Sequence, residues 1–394
     1  MFPELKWLLP DGVDETLPEP ARQTEQLRRQ VLDLLAGWGF ELVDPPLIEY
    51  LESLLSGVGE DLDLQTCKLV DQASGRMLGI RADMTPQVAR IDAHRLKRGG
   101  PTRLCYVGPV LHNMPDRFLG SRNPIQIGAE IYGYAGIEAD IEIATLLLKT
   151  LAQAGFDQVT LDIGHVGVVR GLVRALNLDA AQTDSLRDIL NRKSQPELPG
   201  FIEGLSASPA LAAFARTMPR LHGGAEVIAE AATACPQGLD EVTQALTELE
   251  AVVAAVAAAV PEATLTVDLA ETRGYRYHTG LTFSAFLPGE GQEVAWGGRY
   301  DDIGSIFGSA RPATGFSTDL KRLARLANQP VLRRAILAPA LDDADLQQTV
   351  RLLRAQGEVV VQAYPGASDV AADYGCNARL ARVDDGWMVE DLTA

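Results

Sequence analysis

The stretch from Pro124 to Gly133 alternates strictly, with Ile125, Ile127, Ala129 and Ile131 on one side and Gln126, Gly128, Glu130 and Tyr132 on the other. Side chains of a strand point to opposite faces with a period of two, so this stretch predicts a strand with one apolar face and one polar row. Leu265, Val267 and Leu269 alternate with Thr266, Asp268 and Ala270, and Leu281, Phe283 and Ala285 follow beyond the segment Thr272 to Gly280. Antiparallel pairing is the expectation for all three.

Around these strands the pattern is helical. Thr16-Leu17-Pro18-Glu19 reads as a capping box with proline in the first turn, and Leu27, Val31, Leu34, Leu35 and Trp38 recur at helical spacing until Gly37 and Gly39 close the helix. Pro45 and Pro46 interrupt the extended segment that begins at Glu41. Between the first and second of these strands, roughly residues 167–259, alanine- and leucine-rich sequence such as Val242, Ala245, Leu246, Leu249 and Val252 predicts a helical insertion. After Asn328-Gln329-Pro330, Arg334 to Ala340 reads as a strand, Asp345 to Gln356 as a helix and Glu358 to Ala363 as a second strand. The expected division is a body over residues 1–328, containing the insertion, and a small α/β unit over 331–394.

A chain of 394 residues exceeds one ordinary core, and 46% apolar with 22% charged residues is globular composition. The net charge of −18 works against tight nucleic-acid binding, which needs a basic surface to neutralise phosphates. Arg90, Arg95, Lys97, Arg98 and Arg103 form the one basic concentration, and a solvated helix face accounts for it. Cys67, Cys105, Cys235 and Cys376 lack the spacing of a zinc site and read as reduced structural thiols. The N-terminus lacks a signal-peptide pattern, and the apolar run Ala251 to Val260 is too short to span a bilayer. A cytoplasmic protein is expected, with no membrane partner.

Three places carry chemistry. Gln126 and Glu130 project from the same face of their strand, and an amide beside a carboxylate suits an amino group or a ring nitrogen; a solvent-facing sheet surface is the plain alternative. Thr272 to Gly280 sets Arg273, Tyr275, Tyr277 and His278 among glycines, where arginine can meet a carboxylate and tyrosine can wall a pocket; a tyrosine-rich hairpin loop is the alternative. Asp83 and Thr85, two apart before a predicted helix, offer an acid and a hydroxyl or else a helix cap. Gly297-Gly298-Arg299-Tyr300-Asp301 alone reads as a turn, and no phosphate-binding loop, dinucleotide fingerprint or serine elbow occurs.

Taken in order, these features resemble the histidyl-tRNA synthetases over roughly residues 5–325. Gly39 to Glu49 resembles class II motif 1, which builds a dimer interface in that family; Leu104 to Gly133 resembles motif 2; Arg273 to Gly280 resembles the histidine-specific loop; and Ala313 to Leu323 resembles motif 3. The resemblance implies an α+β fold: a class II aminoacyl-tRNA-synthetase-like antiparallel sheet flanked by helices, with a helical insertion and a small C-terminal α/β unit. It also implies a histidine site of Asp83, Thr85, Gln126, Glu130, Arg273 and Tyr277. Asp83 and Glu130 would hold the α-ammonium or the imidazole, Thr85 and Gln126 would add hydrogen bonds, Arg273 would face the carboxylate and Tyr277 would line the ring. Asp83 stands where the synthetases carry glutamate, so its reach is one methylene shorter.

The departures set the expected function. Leu111-His112-Asn113-Met114 replaces the motif 2 sequence whose arginine holds the ATP α-phosphate, and an imidazole is no permanent bidentate cation. His278 replaces a second tyrosine, and Asp319 replaces a motif 3 glycine where it would repel triphosphate, although Arg322 remains. Residues 331–394 are also fewer than the family's anticodon-binding domain needs. The combination resembles the regulatory subunits of ATP phosphoribosyltransferase, which implies no catalytic residue, no cofactor, no metal and no tRNA. Its implied partners are a short-form catalytic subunit, a second copy within a hetero-octamer, and histidine as effector. The rival expectations are a divergent adenylate-forming enzyme, a truncated synthetase, and an amino-acid sensor for some other partner. Gly120 to Pro124, the shortened motif 2 tip, reads as a mobile loop, with a partner contact as the alternative.

Overall fold

The computed structural model describes residues 8–56, 60–114, 120–272, 274–275, 277–303, 308, 310–327, 334–384 and 386–392. The chain divides into two compact units, Met1–Asn328 and Gln329–Ala394.

In the larger unit the strands follow as β1 (Glu41–Leu42), β2 (Ile48–Tyr50), β3 (Cys67–Val70), β4 (Met77–Ile80), β5 (Thr102–Pro109) and β6 (Ile125–Tyr132). After them come β7 (Thr160–His165), β8 (His222–Gly223), β9 (Thr264–Asp268), β10 (Leu281–Phe286), β11 (Ala295–Arg299) and β12 (Ala313–Asp319). Nine of them form one sheet in the order β1-β5-β6-β12-β11-β10-β7-β9-β8, and β2-β4-β3 form a small separate sheet.

The large sheet is mixed, which corrects the expectation of antiparallel pairing throughout. From β5 to β7 across the sheet every pair is antiparallel, but β1 runs parallel to β5 and β9 parallel to β7. The second exception has a cause in the chain: the helical insertion between β7 and β9 is the long crossover that a parallel pair requires. Because β7 lies between β9 and β10, the segment Thr272 to Gly280 is not a hairpin loop. It passes the end of β7 instead.

The apolar face of β6 enters the main core through Ile127, Ala129 and Ile131, which share it with Ile143, Leu146, Leu147 and Leu151 of helix Ile137–Gln153. Helix Pro18–Gly37 adds Leu27, Val31 and Leu35. Its start differs from the expected capping box: Leu17 is the N-cap, with no side-chain cap bond, and the Leu17 carbonyl accepts from Ala21 N at 2.9 Å. Proline in the first turn has no N–H to satisfy, which lowers the demand on a cap. Helix Asp240–Ala259 is long and apolar enough in composition to cross a bilayer, yet Val242, Leu246, Leu249, Val252 and Val256 are buried and it packs on helices Val166–Ala175 and Ile137–Gln153. That is a core helix of the insertion.

The smaller unit is a four-stranded sheet of β13 (Ala335–Ala338), β14 (Val359–Gln362), β15 (Ala378–Val383) and β16 (Gly386–Asp391), in the order β14-β13-β15-β16. Helix Ala344–Ala355, capped by Asp343 through a 2.7 Å bond from Leu346 N, lays Leu346 and Val350 on Ile336, Val360 and Leu380. The parallel pair β13 and β14 with its connecting helix matches the expected strand-helix-strand pattern, and the hairpin β15-β16 extends it.

Candidate functional site

A cavity of about 580 Å³ opens over the polar face of the large sheet. Its floor follows from strand register. Opposite residues in antiparallel pairs share a face, so Thr282, Gly298, Gly315 and Glu130 form one row across β10, β11, β12 and β6. The adjacent row is Ser284, Trp296, Ser317 and Gly128. Gly315 has to be glycine: an added Cβ would lie 1.5 Å from Glu130 Oε2 and 2.8 Å from the Ala129 carbonyl.

Glu130 is buried at the head of the first row, and no cation accompanies it among its described hydrogen-bond partners. Its carboxylate accepts from Tyr106 Oη at 3.0 Å, from Thr85 Oγ1 at 3.4 Å and from the Tyr300 hydroxyl. Burial pushes its carboxyl up to about 8; the hydroxyls oppose that rise and the nearby Asp83 carboxylate adds to it. Beside it, Gln126 is fixed at both ends of its amide: Nε2 donates to Asp83 Oδ1 at 2.6 Å, and Oε1 accepts from Met84 N at 2.8 Å. Asp83 Oδ1 also accepts from Thr85 N at 3.0 Å, so it ties down the start of helix Thr85–Arg90 while remaining on the cavity wall. Segment 81–85 is itself anchored by buried Arg81, which donates to the carbonyls of Pro109, at 2.9 Å, and Pro45.

The structure therefore brings Asp83, Thr85, Gln126 and Glu130 into one cluster, with the polar row turned to a cavity rather than to open solvent. Tyr277 lines the same cavity and stacks on Tyr300, with ring centroids 5.1 Å apart and planes inclined by 28°. Arg273 lies outside the described residues. The rest of its loop is held by Arg170, whose guanidinium donates to the carbonyls of Tyr275, at 3.0 Å, and His278, at 2.7 Å. His278 sets Nδ1 3.3 Å from the Arg299 carbonyl, and burial pushes its imidazole down to about 4, so it is neutral near pH 7.

Tyr106, Tyr300, Gly315 and Trp296 are site residues that the sequence reading passed over. The Gly297-Gly298-Arg299-Tyr300 segment is not the isolated turn expected; residues 295–299 are strand β11, which delivers Tyr300 to Glu130. Arg299 turns away to the buried Asp140, at 2.7 and 2.9 Å.

Other expectations are revised. Asp319 accepts from Ile125 N at 3.2 Å and Lys321 N at 3.0 Å, so its carboxylate serves backbone amides and does not line this cavity. Arg322 donates to the Glu293 carbonyl at 2.6 Å and pairs with Glu290 at 3.1 Å. His112 places Nε2 3.0 Å from the Ala82 carbonyl and also lies off the cavity wall. Gly120 to Pro124 is tied down instead of loose: Arg122 N donates to the Gly12 carbonyl at 2.7 Å, and Ser121 Oγ to Asp14 at 2.8 Å. In the basic segment, Arg90, Arg98 and Arg103 are paired with Glu49, Glu41 and Glu142, which leaves little unmatched positive charge.

Residues 12–323 match the histidyl-tRNA synthetase family profile, and residues 333–390 match that of the ATP phosphoribosyltransferase subunit HisZ C-terminal domain. The ATP phosphoribosyltransferase regulatory subunit of Alkalilimnicola ehrlichii is 51% identical over 391 residues, covering 98% of each chain, and that of Thioalkalivibrio sulfidiphilus is 51% identical over 390 residues, covering 98% of this chain and 99% of the relative. This chain belongs to the ATP phosphoribosyltransferase regulatory subunit family. The regulatory-subunit fold is that of the synthetases: a Bacillus halodurans structure described as an ATP phosphoribosyltransferase regulatory subunit/histidyl-tRNA synthetase superposes with a TM-score of 0.82 at 27% identity, over 94% of this chain and 96% of that one. Histidyl-tRNA synthetase of Nostoc, at 18% identity, shares the fold with a TM-score of 0.80, over 98% of this chain and 95% of that one. As a regulatory subunit, the chain has a role in histidine biosynthesis.

Proposed function

We propose that this regulatory subunit binds free histidine in the cavity over β6 and, through a separate short-form ATP phosphoribosyltransferase catalytic subunit, activates the first step of histidine biosynthesis and makes it responsive to histidine. The observation that carries the reading is the pairing of two acidic groups of different character within one wall. Glu130, sunk among Tyr106, Tyr300 and Tyr277, suits the N–H of a flat imidazole ring; Asp83, half-buried and fixed by Gln126, suits an α-ammonium. Arg273 would meet the carboxylate. Two copies of the chain, joined as in the class II synthetases, assemble with catalytic subunits into a hetero-octamer in the cytoplasm.

Among the described residues lining the cavity there is no lysine or arginine to meet a triphosphate, and His278 is neutral near pH 7, so the reading is effector binding without chemistry. The test is the rate of the short catalytic subunit from the same source, with and without this chain, across a histidine titration. Activation together with inhibition by histidine, the latter lost in Glu130→Ala, is the expected result. An unchanged rate and no co-migrating complex would refute it.

A further inference from the structure

We infer that Trp296 is the specificity-determining residue of this cavity, standing as a partition that admits a free amino acid and excludes one extended at its carboxyl end. The inference rests on the histidine reading above. Of the eight residues in the two floor rows, three are glycine, three are serine or threonine and one is Glu130; Trp296 is the eighth. Its neighbours on either side, Ser284 on β10 and Ser317 on β12, are too small to cover an indole. Trp296 is accordingly 43% exposed, in the middle of a sheet whose other face is core. An aromatic side chain with so little packing contributes little to the fold and stands free as a wall.

The position of that wall relative to the ligand follows from the anchors. Both anchoring acids sit at the β6 end of the cavity, Glu130 for the ring and Asp83 for the ammonium. The third polar end of the amino acid, its carboxylate, is therefore directed over β12 and β11. Any group attached there meets Trp296 next. The cavity volume of about 580 Å³ exceeds what one amino acid fills, so removal of the indole frees room that is already continuous with the site.

The experiment is calorimetric titration of the intact chain and of its Trp296→Ala and Trp296→Phe variants with L-histidine and with L-histidylglycine, whose peptide bond extends the carboxyl end. Thermal melts run alongside establish that each variant is folded. Wild type should bind histidine and discriminate against the dipeptide; Trp296→Ala should hold histidine within a few-fold and gain dipeptide affinity by about tenfold or more, with Trp296→Phe between. Equal binding of both ligands by wild type, or no gain in either variant, overturns the partition. A tenfold loss of histidine itself in Trp296→Ala also overturns it, because the indole would then be a contact for the amino acid. If wild type binds no histidine, the site reading fails and the partition fails with it, a result distinct from the others. Should the alanine variant not fold, Trp296→Phe carries the same comparison.

Discussion

Replacing Glu130 by glutamine should flatten the dependence of stability on pH between 4.5 and about 8. The carboxyl is buried and pushed up to about 8, against an ordinary value of 4.5 in the unfolded chain. Below pH 4.5 both states hold the proton and the group costs nothing. Between 4.5 and about 8 the unfolded chain gives up its proton while the folded one keeps it, so the folded state binds more protons and stability falls as pH rises. Above about 8 the loss is complete. A gap of about 3.5 pH units at about 1.4 kcal/mol each makes the full loss on the order of 5 kcal/mol, with roughly 3 kcal/mol already lost at pH 7. Glutamine has the same shape and no titration, and the hydroxyls of Tyr106, Thr85 and Tyr300 can turn to meet its carbonyl oxygen. Urea unfolding of both proteins at pH 5, 7 and 8.5, without ligand, should show Glu130→Gln gaining on wild type by several kcal/mol across the series. Parallel curves from pH 5 to 8.5 would refute the premise that Glu130 is a buried carboxyl held without a compensating cation.

Gly315→Ala places a methyl group against Glu130 and the Ala129 carbonyl; a loss of about 1–3 kcal/mol in urea unfolding and a collapse of histidine binding in calorimetry are expected. Arg299→Ala leaves the fully buried Asp140 without its cation and should cost about 3–5 kcal/mol by the same unfolding assay, whereas Arg192→Ala, whose partners Asp188 and Glu197 are exposed, should barely move the unfolding midpoint. Arg170→Ala removes two donors from the carbonyls of Tyr275 and His278, so histidine affinity should fall about tenfold with little change in the melting temperature of the body.

The strand that carries Gln126 and Glu130 is legible in the sequence because its period of two is uninterrupted and three of its four apolar residues are isoleucine, whose β-branch suits a pleated core face. The other half of the site is not legible in the same way. Tyr106 and Tyr300 look like ordinary strand and turn residues; only register across β5, β6, β12 and β11 brings their hydroxyls to one carboxylate. Gly315 carries no signal until Glu130 is found opposite it. Parallel pairing of β7 and β9 is likewise a property of the crossover between them rather than of either strand, which is why alternation alone suggested a hairpin around Thr272 to Gly280. The backbone contacts of Asp319 are likewise hidden from sequence: beside a helix start, its carboxylate accepts from the amides of Ile125 and Lys321.

These placements bear on how a ligand bound over a sheet can regulate anything. Binding alone shifts no equilibrium; a regulator needs an element whose arrangement differs between its states and to which the ligand binds unequally. The floor of the cavity is a poor candidate, since its strands are paired on both sides and buried on the opposite face. The Thr272–Gly280 loop is a better one. It supplies Tyr277 to the cavity wall, its described residues lie outside the strands, and it is held by Arg170 of helix Val166–Ala175, the first helix of the insertion. That helix packs on Asp240–Ala259, so a change in the loop has a continuous mechanical route into the insertion, beside the stack of Tyr277 on Tyr300 that leads to Glu130 of β6. On this reasoning Arg170→Ala separates the two regulatory outputs: a catalytic subunit mixed with the variant stays activated, because the body is intact, while its inhibition by saturating histidine weakens. Equal loss of activation and inhibition would instead place the coupling in the body as a whole.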